Sequence, residues 1–492
     1  MKACEARGLP GESGLMDEFI KKITEKGYLI TPEALEIIRR HSDFDELMTK
    51  ILSSDSTIIT PEILEEKKEK VKEIIEVKVE RTDFRPIAKE IETKIIVKEK
   101  ELPKAKGKVE DFVEFFRSRY EKIKAILEQR GNSITSVEKA KQGDRETRIC
   151  VIVNDKRTTK NKHIIVEAED LSDQITILFP ASNKNLIEKA IRLMPDEVIA
   201  VDGRYRNRLF IANNLIQPDV KKQEIKKTEE DIAIVLSSDI HVGNKLFLKE
   251  SFEKFIAWLN GKRGDEKQKR LAEKVAYISL AGDLVDGIGI YPGQEEELEE
   301  EDIFKQYEML EDYLLQIPEH IKVLVAPGNH DAVKTADPQQ KLPKELVPRL
   351  YEYDNFYLIG SPGRAEVHGL KFLVYHGTSF IDFINHVPGC SFERGSEMMV
   401  EMLKRRHVHP FYGGKPITPE KEDIMVIEEE PDVFHCGETH NTNTTTYKGV
   451  IAVNSGTWQQ ITPYQIKQGH KATPGVLPIL MAKEGKISIM RF

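Results

Sequence analysis

The sequence predicts a multidomain chain whose larger, C-terminal part is a layered-sheet α/β domain, preceded by a small β-barrel and a helical module. Three observations predict it. The chain has 492 residues, enough for roughly three domains at ~150 residues each. From residue 231 onward, apolar runs bounded by turn residues alternate with amphipathic helical stretches, as in an α/β layer. Eleven of the 13 histidines follow residue 240, with only His41 and His163 before it. That asymmetry points to metal chemistry in the C-terminal half.

Composition narrows the class. Hydrophobic residues make up 39% and charged residues 32%, so a core forms only alongside well-solvated segments. A net charge of −9 excludes a uniformly basic nucleic-acid coat protein, though not a locally basic groove. Cys4, Cys150, Cys390 and Cys436 lie far apart, which makes neither a disulfide framework nor a zinc ribbon. A reduced, cytoplasmic setting is therefore expected. No apolar run reaches the ~18 residues of a membrane span, and the opening MKACEARGLPGESG lacks the apolar stretch of an export signal.

Residues 1–64 read as the helical module. Phe19, Ile20 and Ile23 form an apolar stripe stopped by Gly27, a residue suited to a left-handed cap. Thr31-Pro32-Glu33 supplies an N-cap, a first-turn proline and an acid, and Leu35, Ile37 and Ile38 continue that helix. Leu47, Ile51 and Leu52 mark a third helix, and Thr60-Pro61-Glu62 repeats the start signal. Such a module is too small for an enzyme site and suits interaction or tethering. Residues 65–107 mix both charges densely with few aromatics, the composition of a solvated, partly disordered linker. A connecting helix is expected within 108–145, from Phe112, Phe115, Phe116, Tyr120, Ile123 and Ile126 at helical spacing.

Residues 146–220 contain five strand-like runs (148–154, 163–170, 175–179, 198–205 and 209–216) with one helical stretch, 185–193, after the third. Five strands with a helix there fit an OB-fold. No row of aromatics on a basic face is evident, so a structural or docking role is expected ahead of strand binding.

The domain 231–492 carries six short elements at its strand ends. They are Ser238-Asp239-Ile240-His241, Gly282-Asp283-Leu284-Val285-Asp286, Gly328-Asn329-His330-Asp331, Tyr375-His376-Gly377, His435-Cys436-Gly437-Glu438-Thr439-His440 and Asn454-Ser455-Gly456-Thr457. Each alone has an ordinary explanation: a cap beside a surface histidine, a turn with a left-handed Asn, a satisfied core histidine. Their shared position, where α/β sheets gather functional residues, reads as a two-metal site. Two ions about 3.5–4 Å apart clamp a phosphate and activate water. Ions so close repel, so a carboxylate must bridge them, and Asp283 is the natural candidate. Mixed imidazole, carboxylate and amide donors suit Mn, Fe, Zn or Co better than an all-oxygen magnesium or calcium site. A further, non-ligand histidine stabilises the transition state or protonates the leaving oxygen.

The order DxH…GD…GNH[DE]…H…GHxH resembles the calcineurin-like metallophosphoesterase superfamily over roughly residues 231–492. The resemblance implies that Asp239, His241 and His440 hold one metal, Asn329 and His376 the other, and Asp283 both. It implies that His330 is catalytic and that Asp331 orients it. One position departs. Glu438 stands where the pattern has the first His of GHxH, which completes the shell of the second metal. A carboxylate can also bind a divalent ion, so altered occupancy is expected rather than a dead site, and nearby His435 is an alternative ligand.

AGDLVDGIGIYPGQ, RRHVHPFYGGK and VNSGTW further resemble the small subunits of archaeal family-D DNA polymerases, a likeness extending over nearly the whole chain. It implies a proofreading 3′→5′ exonuclease supported by two divalent ions, Mn2+ first, with Fe2+, Zn2+ or Mg2+ as alternatives. The implied partners are a large catalytic polymerase subunit, single-stranded DNA 3′ ends and a sliding clamp. Arg394, Lys404, Arg405, Arg406, His407, His409, Phe411 and Tyr412 would supply cations and aromatic faces for the strand. The acidic run 295–302 would repel DNA, as a solvated loop or a contact for a basic partner. Two rival readings stand beside this one: a phosphatase acting on small phosphomonoesters, and a non-enzymatic scaffold subunit.

Overall fold

The computed structural model describes residues 84–99, 105–131, 133–462, 465–466 and 471–492, and, nearer the N-terminus, 19–24, 26, 29–40, 44–52, 58–59 and 61–64. The chain divides into two compact units, Met1–Thr82 and Asp83–Phe492.

The first unit is a small helical cluster, with helices over 19–24, Pro32–Arg40, Phe44–Leu52 and Pro61–Leu64. Phe19, Ile23, Ala34, Ile38, Leu47, Ile51, Ile59 and Leu64 form its core. The Thr31 hydroxyl accepts from the Ala34 N–H at 3.3 Å, which caps the second helix. Two short strands, β1 (Leu29–Ile30) and β2 (Ile58–Ile59), pair in parallel beside the helices. Gly27 and Thr60, expected as stop and start signals, lie outside the described residues.

In the second unit the expected linker needs correction. Its residues 65–83 and 100–104 lie outside the described residues, but 84–99 are built into the folded body. They include a strand, β3 (Ile95–Val97). The connecting helix is Val109–Glu128, which buries Phe115, Tyr120, Ile123 and Leu127 along one face. It leads into a barrel of β4 (Ile134–Thr135), β5 (Thr147–Thr158), β6 (Ile164–Glu169), β7 (Gln174–Phe179), β8 (Val198–Arg206) and β9 (Leu209–Ile216). Neighbours run β4-β5-β6-β7-β9-β8, and β5 also pairs with β8, so five strands close on themselves. Along β6, Ile164, Val166 and Ala168 face the interior while the residues between are less buried, the two-residue period of a half-buried strand. The helix Lys184–Ala190, capped by Asn183, follows β7.

Strands β10 (Ala233–Ser237), β11 (Val275–Ala281), β12 (Lys322–Ala326) and β13 (Phe356–Leu358) run parallel. The chain then builds a second sheet from β14 (Gly363–Val367), β15 (Leu370–Val374), β16 (Val433–Cys436), β17 (Asn443–Tyr447) and β18 (Val450–Asn454). It returns to the first sheet with β19 (Val476–Met481) and β20 (Lys486–Arg491). The orders are β13-β12-β11-β10-β19-β20 and β17-β18-β16-β15-β14-β3.

Alternate residues of β10 show how the layers stack. Ala233 and Val235 meet Phe252, Phe255, Trp258 and Tyr307 of the outer helices Lys249–Leu259 and Ile303–Leu314. Ile234 and Leu236 meet Phe372, Val374, Val433 and Val453 of the second sheet. The far face of that sheet, through Leu373, Phe434 and Ala452, packs on Phe383, Met398 and Met402. The result is helix, sheet, sheet, helix. Sheets covered on both faces produce unbroken apolar strands, the runs visible in the sequence. Among the described residues no helix is long and apolar enough to cross a membrane.

Candidate metal centre

Six strand ends converge. The first sheet contributes the turns after β10, β11 and β12; the second contributes those after β15, β16 and β18. In both sheets these are the carboxyl ends of parallel strands. Non-glycine residues seldom adopt positive φ, yet Asp239 (51°), His241 (55°), Asp283 (50°), Glu438 (70°) and His440 (54°) all do. Strain of this kind persists where surrounding bonds over-determine it. Here the Asp239 and Ile240 N–H groups donate to the carbonyls of Gly282 (2.9 Å) and Asp283 (2.8 Å). Gly328 is required by close approach, because a Cβ there would lie 2.2 Å from Asp283 Oδ1.

Asp283 stands at the centre, with its two oxygens turned to different sides. Oδ2 lies 3.8 Å from His241 Nε2. His241 Nε2 is 3.2 Å from His440 Nε2, which is 3.3 Å from Asp239 Oδ1. The other nitrogen of His241, Nδ1, is 3.0 Å from Asp286 Oδ1, a partner that fixes the ring and frees Nε2 for a ligand. Asp239, His241 and His440 thus bring their donor atoms within 4.8 Å of one another.

On the opposite side, Asp283 Oδ1 lies 3.3 Å from His376 Nε2. His376 Nδ1 donates to the Ala281 carbonyl at 2.7 Å, so Nε2 alone is left for a ligand. That nitrogen sits 3.0 Å from Glu438 Oε2, but it is buried and has no well-aligned hydrogen bond. Asn329 Oδ1 is likewise buried without a partner. A cation held by Asp283, His376 and Glu438 would take up that nitrogen, and unpaired buried oxygens such as that of Asn329 are uncommon in folded proteins. The donor set fits a metal pair.

The electrostatics agree. Burial pushes the Asp283 carboxyl up, but the imidazoles of His376, His330 and His241 hold it well below the usual range. Burial lowers the basicity of His376, yet Asp283 and Glu438 raise it well above normal. A site that pulls a proton so strongly onto a ligand nitrogen offers the same attraction to a divalent ion.

His330 borders this cup with its side chain 16% exposed. Its backbone N–H donates to Asp283 Oδ1 at 2.9 Å, and its Nδ1 is held by the Asp286 carbonyl at 2.7 Å. Asp331, expected to orient it, does something else. Its carboxylate accepts from the N–H groups of Gly328 (2.8 Å) and Leu284 (3.2 Å) and from the Tyr307 hydroxyl (3.1 Å), tying the second and third turns together. Burial raises its pKa to about 6. The residue that orients histidines is Asp286, through its carboxylate to His241 and its carbonyl to His330. Sequence reasoning passes over it, although the second acid of Gly-Asp-x-x-Asp is the available signal.

His435 does not substitute for the missing histidine. Its Nδ1 lies 2.9 Å from Ser279 Oγ and its Nε2 3.1 Å from Ser455 Oγ. Burial lowers its pKa to about 3. Glu438 itself takes that place beside His376.

The expected strand-binding stretch is a correction. Arg405, Arg406 and His407 are 1–2% exposed. Arg405 is paired with Glu197 (2.5 Å) before β8 and with Glu401 (2.6 Å). Arg406 pairs with Glu430. His407 Nε2 meets Asp423 at 2.9 Å, which also receives Arg119 at 2.8 Å. Arg405 fastens the barrel, and His407 through Asp423 the connecting helix, to the layered sheets, while Arg406 braces those sheets' own connections. Arg394, 58% exposed and 3.4 Å from Glu397, remains at the surface. The acidic run keeps exposed carboxylates at Glu295, Glu296 and Glu299, but its backbone is anchored, with Leu298 buried. Just before it, Gln294 donates to the Asp286 carboxylate at 2.9 Å.

The profile of the family of DNA polymerase alpha/epsilon B subunits matches residues 234–445, which include five of the six turns. The DNA polymerase II small subunit of Archaeoglobus fulgidus is 38% identical over 96% of this chain and 97% of its own length. That of Methanothermobacter thermautotrophicus is 36% identical over 97% of this chain and 100% of its own. The chain belongs to the family of DNA polymerase II small subunits. A third member, from Methanocaldococcus jannaschii, is 40% identical over 77% of this chain, and the match spans 65% of that relative's length. The expected resemblance to the family-D small subunits therefore holds, and in this family member the converging turns lie mostly within the profile match.

Proposed function

We propose that this small subunit is a metal-dependent 3′→5′ exonuclease that proofreads DNA ends in the cytoplasm for a large catalytic polymerase subunit. In this reading the layers over 231–492 are a calcineurin-like phosphoesterase domain and the barrel over 146–220 is an OB-fold. The observation that carries it is the pair of overlapping donor groups, Asp239–His241–His440 and Asp239–Asp283–His376, each with its donor atoms within 4.8 Å of one another.

Asp239, His241, His440 and Asp283 would hold one ion, and Asn329, His376, Glu438 and Asp283 the other. Divalent ions there, manganese foremost, would supply Lewis acidity and charge neutralisation for phosphodiester displacement. The chain's own residues do the rest. Asp286 holds Nδ1 of His330, so Nε2 is the nitrogen free to meet a scissile phosphate or protonate a leaving 3′-oxygen. Asp283 and Asp286 raise the His330 pKa against the opposing effect of burial. With Arg405, Arg406 and His407 buried, much of the grip on single-stranded DNA falls to the large subunit, and a sliding clamp is a further partner.

The test is release of nucleotides from matched and mismatched primers with Mn2+, beside a chromogenic phosphomonoester. His330→Ala should lower nucleotide release by about 10^2–10^4-fold with the large subunit still held. Wild-type protein that never cuts DNA would favour the scaffold reading, and turnover of the monoester alone would favour the phosphatase.

A further inference from the structure

Glu438 makes the two halves of the cup chemically unlike. Around one position stand His241 and His440, with the carboxylates of Asp239 and Asp283: two nitrogens and two oxygens. Around the other stand His376, Glu438 and Asp283, with Asn329 the fourth member that the resemblance implies: one nitrogen and three oxygens. A histidine at 438 would have equalised them. The backbone of Glu438 is pinned, since its N–H donates to the Asp239 carboxylate at 3.2 Å. Its side chain reaches the other way, to 3.0 Å from His376 Nε2. His435 cannot restore the lost imidazole, because both its ring nitrogens are engaged by serines.

Imidazole favours zinc and iron, whereas carboxylate and amide oxygens favour manganese and magnesium. We propose that the two positions select different metals. The Asp239–His241–His440 position takes zinc or ferrous iron, and the Asn329–His376–Glu438 position takes a harder cation, manganese or magnesium. This inference rests on the two-metal reading above and adds a selectivity that the histidine-bearing pattern would lack.

The full chain, stripped with a chelator, would be dialysed against Mn2+/Zn2+ mixtures with Mn2+ in large excess, which offsets the general preference of nitrogen–oxygen sites for zinc. Bound metal is then counted by mass spectrometry, and the manganese environment read by electron paramagnetic resonance. The expected result is one zinc and one isolated manganese per chain. Glu438→His should shift the second position towards zinc and drive the manganese count from one towards none per chain. Glu438→Gln, nearly isosteric, should weaken manganese retention and leave the zinc in place, which keeps the test decisive if the histidine variant misfolds. Two zincs in the wild type, or the same metal ratio in wild type and Glu438→His, would overturn the selectivity. Two like metals with intact DNA hydrolysis would sink this inference alone, whereas uptake of fewer than two metals would sink the two-metal reading with it.

Discussion

In the candidate metal centre, groups of one kind crowd together: His241 and His440 bring ring nitrogens to 3.2 Å, and the carboxylates of Asp283 and Glu438 close on His376 from two sides. In the stretch from Arg405 to His409, opposite charges face one another: Arg405 with Glu197 and Glu401, His407 with Asp423, His409 with Asp337 at 2.7 Å. Both regions are buried, and both are rich in histidine and charge. The first brings the donor atoms of Asp239, His241, Asp283, His376 and His440 into overlapping groups that could hold a cation; the second sets each cation against its own carboxylate. Residue type cannot separate a site from a brace, but the pairing of the buried groups does.

The largest effect should come from the brace. Removing one member of a buried ion pair leaves an uncompensated charge, at a cost of ~3–5 kcal/mol. Arg405→Ala should lose about that much in urea unfolding, while Arg394→Ala stays within ~0.5 kcal/mol. A stable Arg405→Ala protein whose single-strand binding falls and loses its salt dependence would erase the contrast. Next in size is the response of the cup to metal. Mn2+ at a hundred times its Kd should raise the unfolding free energy by about 2.7 kcal/mol per site, reversed by a chelator and abolished by Asp283→Ala. An equal gain in the Asp283→Ala protein would place the binding elsewhere.

A smaller change sharpens the contrast inside the cup. Asp286→Ala should weaken metal binding by about 10–100-fold without unfolding the chain, because it removes the support of His241. If Asp331→Ala instead slowed DNA hydrolysis with Tm unchanged, the orienting role would return to Asp331. Acid should strike both regions, with the smallest effect. Burial lowers the pKa of His407 to about 4, with Arg119 reinforcing it against Asp423, and burial lowers that of His435 to about 3. The unfolded chain takes these protons near 6.5. Between those values it binds more protons than the folded chain, so stability falls as pH drops below about 6.5. Each histidine should contribute about 1.4 kcal/mol of loss one unit below that value. His435→Asn should flatten the acid limb of stability measured by urea unfolding; an unaltered limb would contradict the assignment.

Much of the site is legible in the sequence. Asp239, His241, Asp283, Asn329, His330, His376 and His440 share one cup because each follows an unbroken apolar strand, and doubly covered parallel strands announce their ends. The five barrel strands are legible from their spacing and turn residues. Less legible is the origin of the cup in two sheets rather than one, since apolar runs record burial and not partners. The brace reads as a strand-binding surface for the same reason: Glu197, Asp423 and Glu430 are distant in sequence from the arginines and histidine they neutralise. Strands β17 (Asn443–Tyr447) and β3 escape notice because a polar threonine run and a lysine-flanked Ile-Ile-Val carry no clear alternation.

That last strand has a practical consequence. β3 pairs antiparallel with β14, Ile95 opposite Val367 and Val97 opposite Ala365, and so occupies the outer edge of the second sheet. An uncovered edge offers a ladder of free N–H and C=O groups to any passing chain. A shortened protein starting at the connecting helix would retain the barrel and the metal cup, yet would expose that ladder along β14 and invite self-association into aggregates. For recombinant work, Phe84 and the strand that follows it belong with the folded body, although they lie within a stretch of charged composition.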